Sequence, residues 1–295
     1  MPDYGLDIAI PSLMDPDPDL PWADDDDPLL VPGSMFLIDF DHSSAPVAGV
    51  PGNGALLPNI AWKRLKDLLG AGDASTLAMP FTDHHVEGTD AKYERSGKGG
   101  LHRLYSQVNN TTPARGSYFD LPAPLKAYLF ANLNHSFYFS DWSRPTRMPA
   151  TGGAILMSVL SNNYSSNNYL AKLEDSNPSP SSGAAFLGSD ISPATNMVAP
   201  RFRAVGAAAW TGTLPADAAK PSGMIALAGN DGPWASQFAN KAGSAVLYRV
   251  YLEDLTVSGR TFAKVRDIDK ALYTAAMAAG GRFAGDTFTN PASFA

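Results

Sequence analysis

Ser244–Val257 reads SAVLYRVYLEDLTV, and its period decides the fold class. Val246, Tyr248, Val250 and Leu252 fall at every second position, with Ala245, Leu247, Arg249, Tyr251 and Glu253 between them. Period two marks a strand with one face on a core. Val, Tyr and Leu at this density suit a pleated, packed surface. Gly243 before the stretch and Ser258-Gly259 after it supply turn signals. The expectation is a central strand of a β-rich fold. Val246, Tyr248, Val250 and Leu252 should face the core, so that Tyr248→Asp or Val250→Asp prevents folding while Arg249→Ala is tolerated.

The composition agrees with many short strands joined by turns. The chain of 295 residues holds 26 Gly and 24 Pro, and only 17% of it is charged. That length suits one large β domain or two smaller ones and suffices to bury a core. A net charge of -7 argues against nucleic acid as a partner. Much of the acidity is local, in Asp15, Asp17, Asp19 and Asp24 to Asp27. Cysteine is absent, which excludes disulfides and thiolate metal sites. No apolar run approaches the ~20 residues that span a bilayer, so no membrane insertion is expected. The first residues, MPDYGLDIAIPSLMDPDPD, lack the basic and apolar regions of a secretory signal, so assembly in a cytoplasm is expected.

Residues 1–33 read as an extended, acidic, Pro-rich N-terminal arm, and 34–295 as the folded domain. Pro2, Pro11, Pro16, Pro18, Pro21, Pro28 and Pro32 deny the arm regular structure. Tyr4, Leu6, Ile8, Ile10, Leu13, Leu20 and Trp22 nonetheless make it too apolar for a purely solvated tail. Two readings stand level, a disordered leader or an arm that orders on a neighbouring subunit. On the second, Ile8, Ile10, Leu13, Leu20 and Trp22 bind the partner.

Within the domain, Ser34–Asp41 reads as a strand with Phe36, Ile38 and Phe40 on one face. Asn59 reads as the N-cap of a helix carrying Ala61, Leu65, Leu68 and Leu69, ended by Gly70. Thr82–Gly100 reads as a polar loop, Leu101–Val108 as a strand and Ala123–Ala131 as a helix. Ser136–Trp142 is aromatic on both faces, Phe137 and Phe139 against Tyr138 and Trp142, which suits an inner strand. Ala154–Leu160 and Asn168–Glu174 make a hairpin. Pro178–Pro193 reads as a loop, and Arg201–Trp210 and Met224–Leu227 as strands. Thr261 caps a last helix with Val265, Ile268, Leu272 and Ala276 as its stripe, stopped at Gly280-Gly281. The fold class is therefore mainly β, an antiparallel β-sandwich or jelly roll with two or three short helices.

Gly152–Leu173 (GGAILMSVLSNNYSSNNYLAKL) and Gly243–Val265 (GSAVLYRVYLEDLTVSGRTFAKV) together resemble the concanavalin-like, laminin-G-like jelly roll of tailed-bacteriophage virion structural proteins. Gly280-Gly281-Arg282-Phe283 with Gly285-Asp286-Thr287, and the pieces Leu57–Trp62, Gly99–His102 and Phe139–Arg147, are similar to that group as well. The likeness covers residues 34–290 and leaves the arm outside. It implies a virion location, a tail-tip or baseplate component, other virion proteins as partners and a homo-oligomer in the particle. A capsid decoration protein is the nearest alternative, followed by a host-adhesion module that binds a surface glycan, and then a glycan hydrolase. The resemblance also allows calcium, which no local motif places; no other cofactor is expected.

No catalytic residues are assigned. Glycosidases position an acid and a second carboxylate. Glu253 and Asp254 are neighbours on opposite faces of a strand, and Asp267 and Asp269 lie on a helix, so neither pair fits. A G-x-S-x-G elbow is absent, and neither Gly97–Gly100 nor Gly280-Gly281 has a P-loop ending. Asp83-His84-His85 with Glu87 is the most ligand-like cluster, but a solvated loop is the better reading. The Asp15–Asp27 run lacks the glycine turn and distal Glu of a calcium loop. No metal site is assigned. Tyr164, Tyr169, Trp210 and Trp234 are the candidates for stacking on a glycan, although rings of this kind more often cap a core.

Overall fold

A computed structural model describes residues 27–42, 47, 49–110, 117–150, 155–159, 170–174, 179–180, 184–192, 199–209, 224–226 and 240–294. The opening stretch forms β14, Ser244–Asp254, and all 11 of its residues are buried. One side of β14 pairs along its length with β7, Ser136–Arg147. Its other side is shared by β5, Leu101–Tyr105, and β1, Ser34–Asp39, which take its first and second halves. Outward from β7 lie β12, Arg201–Ala208, and β11, Ala185–Ser192; outward from β5 lies β4, Ala91–Arg95. These strands form a seven-stranded sheet, and every pairing in it is antiparallel.

Both faces of the sheet are covered. On one face Phe36, Ile38, Phe40, Phe137, Phe139, Leu247, Val250 and Leu252 belong to one apolar cluster. That cluster extends into a four-stranded sheet of β2 (Leu56–Leu57), β3 (Met79–Asp83), β6 (Ser117–Asp120) and β13 (Met224–Ala226). A three-stranded sheet of β8 (Ile155–Val159), β9 (Ala171–Glu174) and β10 (Ser179–Pro180) lies on this side too, with helices α1 (Trp62–Leu69) and α2 (Ala123–Ala131). On the other face Leu37, Tyr138, Trp142, Phe202, Val246, Tyr248 and Tyr251 pack beneath α4, Phe262–Met277, and Phe283 of the tail. One turn of helix, α3 (Leu255–Ser258), joins β14 to α4. The molecule is thus an antiparallel β-sandwich with a helical third layer. Four α-helices are present among the described residues, and α4, with 16 residues, runs between the Thr261 cap and the Gly280-Gly281 stop that the sequence marked. No described helix is long and apolar enough to cross a membrane.

Three expectations change at the strands. First, the pairing of β14 with β7 steps from Leu247↔Ser143 to Arg249↔Trp142, which leaves Tyr248 as an extra residue. A bulge of this kind reverses which side chains face which layer. Val246 and Tyr248 accordingly face α4, while Val250 and Leu252 face the second sheet. Second, the expected loop Thr82–Gly100 contains the end of β3 and all of β4, and Pro178–Pro193 contains β10 and β11. β4 and β11 lie at the two ends of the sheet, where polar and charged residues blunt an edge and hide the strand in the sequence. Third, Arg249 is 3% exposed and does not sit on a tolerant face.

Helix ends and stripes also differ in detail. Asn59 does not cap α1. Its Oδ1 accepts from Leu37 N and Ala61 N, both at 3.0 Å, and its Nδ2 donates to the Met35 carbonyl, fixing the entry of α1 to β1. Gly70 does end α1, in the left-handed conformation (φ 72°), and the Thr261 hydroxyl does cap α4 by accepting from Lys264 N. The buried stripe of α4 is Phe262, Val265, Asp269, Tyr273 and Ala276, with Ile268 and Leu272 on its flanks.

Residues 27–33, assigned above to the arm, lie on the sheet. Leu29 is fully buried, its carbonyl accepts from Tyr251 Oη at 2.8 Å, and the Gly33 carbonyl accepts from Asp254 N at 2.9 Å. Gly33 has φ 99°, and a Cβ there would lie 2.7 Å from the Asp254 carbonyl oxygen, so the close approach needs glycine.

Candidate interaction surface

The open edge of the large sheet is β11, which among the described residues pairs laterally with β12 alone within that sheet. Its pairing steps from Phe186↔Ala207 to Gly188↔Gly206, so Leu187 is bulged. Gly188 and Gly206 face each other, and the Phe262 ring of α4 fills the notch between them. A Cβ on Gly188 would meet that ring at 2.6 Å, and one on Gly206 at 2.7 Å. Two strand glycines therefore set how closely α4 approaches this edge.

Beside the notch runs a groove of about 390 Å³, lined by Leu187, Leu255, Phe262 and Ala263 together with Ser136, Thr256, Arg260 and Thr261. Phe186 and Leu187 on β11 and Val257 on α3 are 58%, 40% and 41% exposed. Of the seven exposed large apolar side chains among the described residues, Leu187 lines the groove and Val257 lies on the same turn of helix as its lining residues Leu255 and Thr256, while Phe186, paired with Ala207, lies on the opposite face of the sheet. A contiguous apolar patch rimmed by polar groups is the usual form of an interaction site.

Arg260 connects the groove to the N-terminal stretch. Its Nε donates to Glu253 Oε1 at 2.8 Å, and its Nη2 pairs with Glu253 Oε2 and donates to the Leu29 carbonyl at 2.9 Å. Burial pulls the Arg260 pKa down, but the Glu253 carboxylate outweighs it and leaves the guanidinium above its ordinary value. Asp27 is held in turn by Arg249, which also pairs with Asp39 and lies 4.7 Å from the Trp142 ring. Arg260 thus ties Pro28 and Leu29 to the groove lining, while Asp27 is held farther along β14 by Arg249.

At the other end of the groove Asp254 organises α3. Its Oδ1 accepts from Thr256 N and Val257 N, and its Oδ2 accepts from Tyr128 Oη at 2.7 Å and sits 2.6 Å from His135 Nδ1. Burial and this hydrogen bond to a carboxylate push the Tyr128 pKa well up. The four acids set aside in the sequence are now placed. Glu253 and Asp254 have the partners just given, Asp267 is exposed, and Asp269 is buried.

Asp269 is the residue sequence reasoning missed most completely. It accepts from Tyr138 Oη at 2.8 Å, Ser140 Oγ at 2.5 Å and Trp142 Nε1 at 2.8 Å. Burial raises its pKa against the pull of Arg249 and these three donors. A second buried ion pair lies on the opposite face of the sheet, where Arg203 Nε and Nη2 donate to the two Asp141 oxygens, each at 2.8 Å.

The remaining candidates divide. His85 lies between two carboxylates, Asp83 at Nδ1 and Glu87 2.8 Å from Nε2, and its ring is 4.4 Å from that of Tyr93. Burial alone would lower the His85 pKa, but the Asp83 and Glu87 hydrogen bonds raise it. His84 is turned instead toward Tyr118, 6.3 Å between rings. Among the described residues no group of three or more His, Cys, Asp or Glu is placed to hold a metal ion. Tyr164, Tyr169, Trp210 and Trp234, and Ile8, Ile10, Leu13, Leu20 and Trp22 of the arm, lie outside the described residues.

No family model and no curated protein matches the chain. Among solved structures, Trypanosoma rangeli sialidase in complex with sialic acid is similar at a TM-score of 0.37 and 11% identity, covering 83% of this chain and 33% of that one. The same sialidase as a covalent intermediate with 2,3-difluorosialic acid is similar at a TM-score of 0.34 and 16% identity, over 67% of this chain and 34% of the sialidase. The chain spans about a third of the sialidase's length, and at these scores the likeness carries nothing about site or reaction.

Proposed function

We propose that the chain is a non-enzymatic structural component of a tailed-phage virion, at the tail tip or baseplate, that docks to neighbouring virion proteins through its N-terminal arm. The observation that carries the reading is a juxtaposition. Asp27, Pro28 and Leu29 are fastened to the domain by Arg249 and Arg260, and Arg260 also lines the exposed apolar groove at the sheet edge. An acidic sequence rich in apolar residues is therefore continuous in the chain with Pro28 and Leu29, which Arg260 ties to the edge of a surface suited to a partner. The phage setting rests on the resemblance of Gly152–Leu173 and Gly243–Val265 to virion jelly rolls.

Purified particles from cells that make the chain test the reading, with the protein found by mass spectrometry and located by labelled-antibody microscopy. Label at the tail tip is the expected result. Label on the head would make the chain a decoration protein. Absence from particles would remove the virion role, and release of reducing sugar from host polysaccharide, lost on changing a single acid, would replace it with a glycan hydrolase.

A further inference from the structure

We propose that the groove between β11 and the α3–α4 corner receives residues 4–10 of the N-terminal arm of a second copy of this chain. The proposal deepens the docking role above and rests on it.

The groove fits an extended segment with one apolar side. Its walls are Leu187, Leu255 and Phe262, with Val257 exposed on the same turn of helix as Leu255. Beyond the bulge, Ser189–Ser192 of β11 present a strand edge that no described strand covers. The chain contains one segment outside the described residues with the matching pattern near its start, Tyr4-Gly5-Leu6-Asp7-Ile8-Ala9-Ile10. Laid out as a strand it places Tyr4, Leu6, Ile8 and Ile10 on one side and Gly5, Asp7 and Ala9 on the other. Strand addition to a free edge supplies main-chain hydrogen bonds, and the apolar side supplies specificity.

The spacer chooses a second copy over the segment's own domain. Between Ile10 and Asp27 lie Pro11, Pro16, Pro18 and Pro21 together with six aspartates. Proline and like charge both favour extension, and at about 3.1 Å per residue a segment of this length can reach roughly 50 Å. A domain of this length has a radius of gyration of only about 19 Å. The chain's own groove is bounded by Arg260, which holds Pro28 and Leu29, so reaching it would require the spacer to double back. Residues 1–26 contain eight aspartates and no basic residue, while Arg266 and Lys270 beside β11 are balanced by Asp190 and Asp267, so the choice of occupant rests on the spacer and the apolar pattern.

The absence of cysteine makes the test direct. Full-length Ile8→Cys and Leu187→Cys proteins are mixed and gently oxidised. The control mixture pairs Ile8→Cys with Leu56→Cys, an exposed position on β2. Leu187 and Leu56 are both exposed, and matching melting curves would verify that each variant folds. The expected result is a mixed disulfide dimer with Leu187→Cys at several-fold the yield of the control. Equal yields would overturn the proposal. So would a double variant that closes the bond only within one chain. Loss of the crosslink with arm-dependent incorporation intact would sink the groove assignment and leave the virion role standing. The converse pattern would sink the virion role alone.

Discussion

Asp269→Ala should be among the most damaging single changes in the helical layer. The carboxylate accepts three hydrogen bonds, from Tyr138, Ser140 and Trp142, at an interface where Asp269 is 0% exposed. Alanine would leave three buried donors without an acceptor, each costing ~1–3 kcal/mol. It would also take a carboxylate from the field of Arg249. The three donors share one partner, so their costs do not add fully. A total of ~3–5 kcal/mol is the scale for breaking a buried charged network. With ~2–4 °C per kcal/mol for domains of this general size, the melting midpoint should fall by ~6–20 °C. Asp269→Asn keeps an acceptor and the volume, and should lose markedly less. Thermal and urea unfolding of the three proteins, followed by near- and far-ultraviolet circular dichroism, give the comparison. An Asp269→Ala protein that melts with the wild type would refute the assignment of these donors, as would an Asn variant no better than Ala.

The other predictions concern single groups. Arg249→Ala, which the sequence alone marks as harmless, should cost ~3–5 kcal/mol, because Asp27 and Asp39 lose a buried counter-charge; an unchanged urea midpoint contradicts this. Gly188→Val should loosen α4 by forcing the Phe262 ring out of its notch, at ~1–3 kcal/mol, and limited proteolysis should then cut at the α3–α4 corner before the strands. His85 binds its proton more tightly in the folded state than its ordinary pKa of about 6.5. Its contribution to stability should therefore be complete below about 6.5 and fade as pH rises through the raised folded value. His85→Gln should flatten that part of the pH profile, and a profile of the same shape in the variant refutes the pairing with Asp83 and Glu87.

Where a residue's neighbours are decided by local pattern, the sequence was legible. The doubly aromatic run at Phe137–Trp142 is an inner strand because both of its faces are covered, and α2 occupies the residues its pattern marked. The hairpin of β8 and β9 likewise pairs as expected. Non-local effects were hidden. The bulge at Tyr248 depends on register with β7, which a single strand does not display. β4 and β11 are edge strands whose polar residues read as loop. Asp269 sits four residues after Val265 and four before Tyr273, so its place on the buried stripe was written in the spacing. The sequence weighed it only beside Asp267 as a carboxylate pair, and the three donors on β7 explain its burial. Of the candidate surface, the Gly188–Gly206 notch needs the β11–β12 register and was not legible at all.

The central claim is that the acidic segment upstream of Asp27 serves assembly and not folding. Residues 27–33 pack on the sheet, so the deletion should remove residues 1–26 and spare the contacts of Asp27 and Leu29. The decisive measurement takes the deleted and full-length proteins together and records two quantities, the melting temperature and the amount recovered in purified particles. The account predicts nearly unchanged melting with incorporation lost. Normal incorporation of the deleted protein, or its failure to fold, would contradict it.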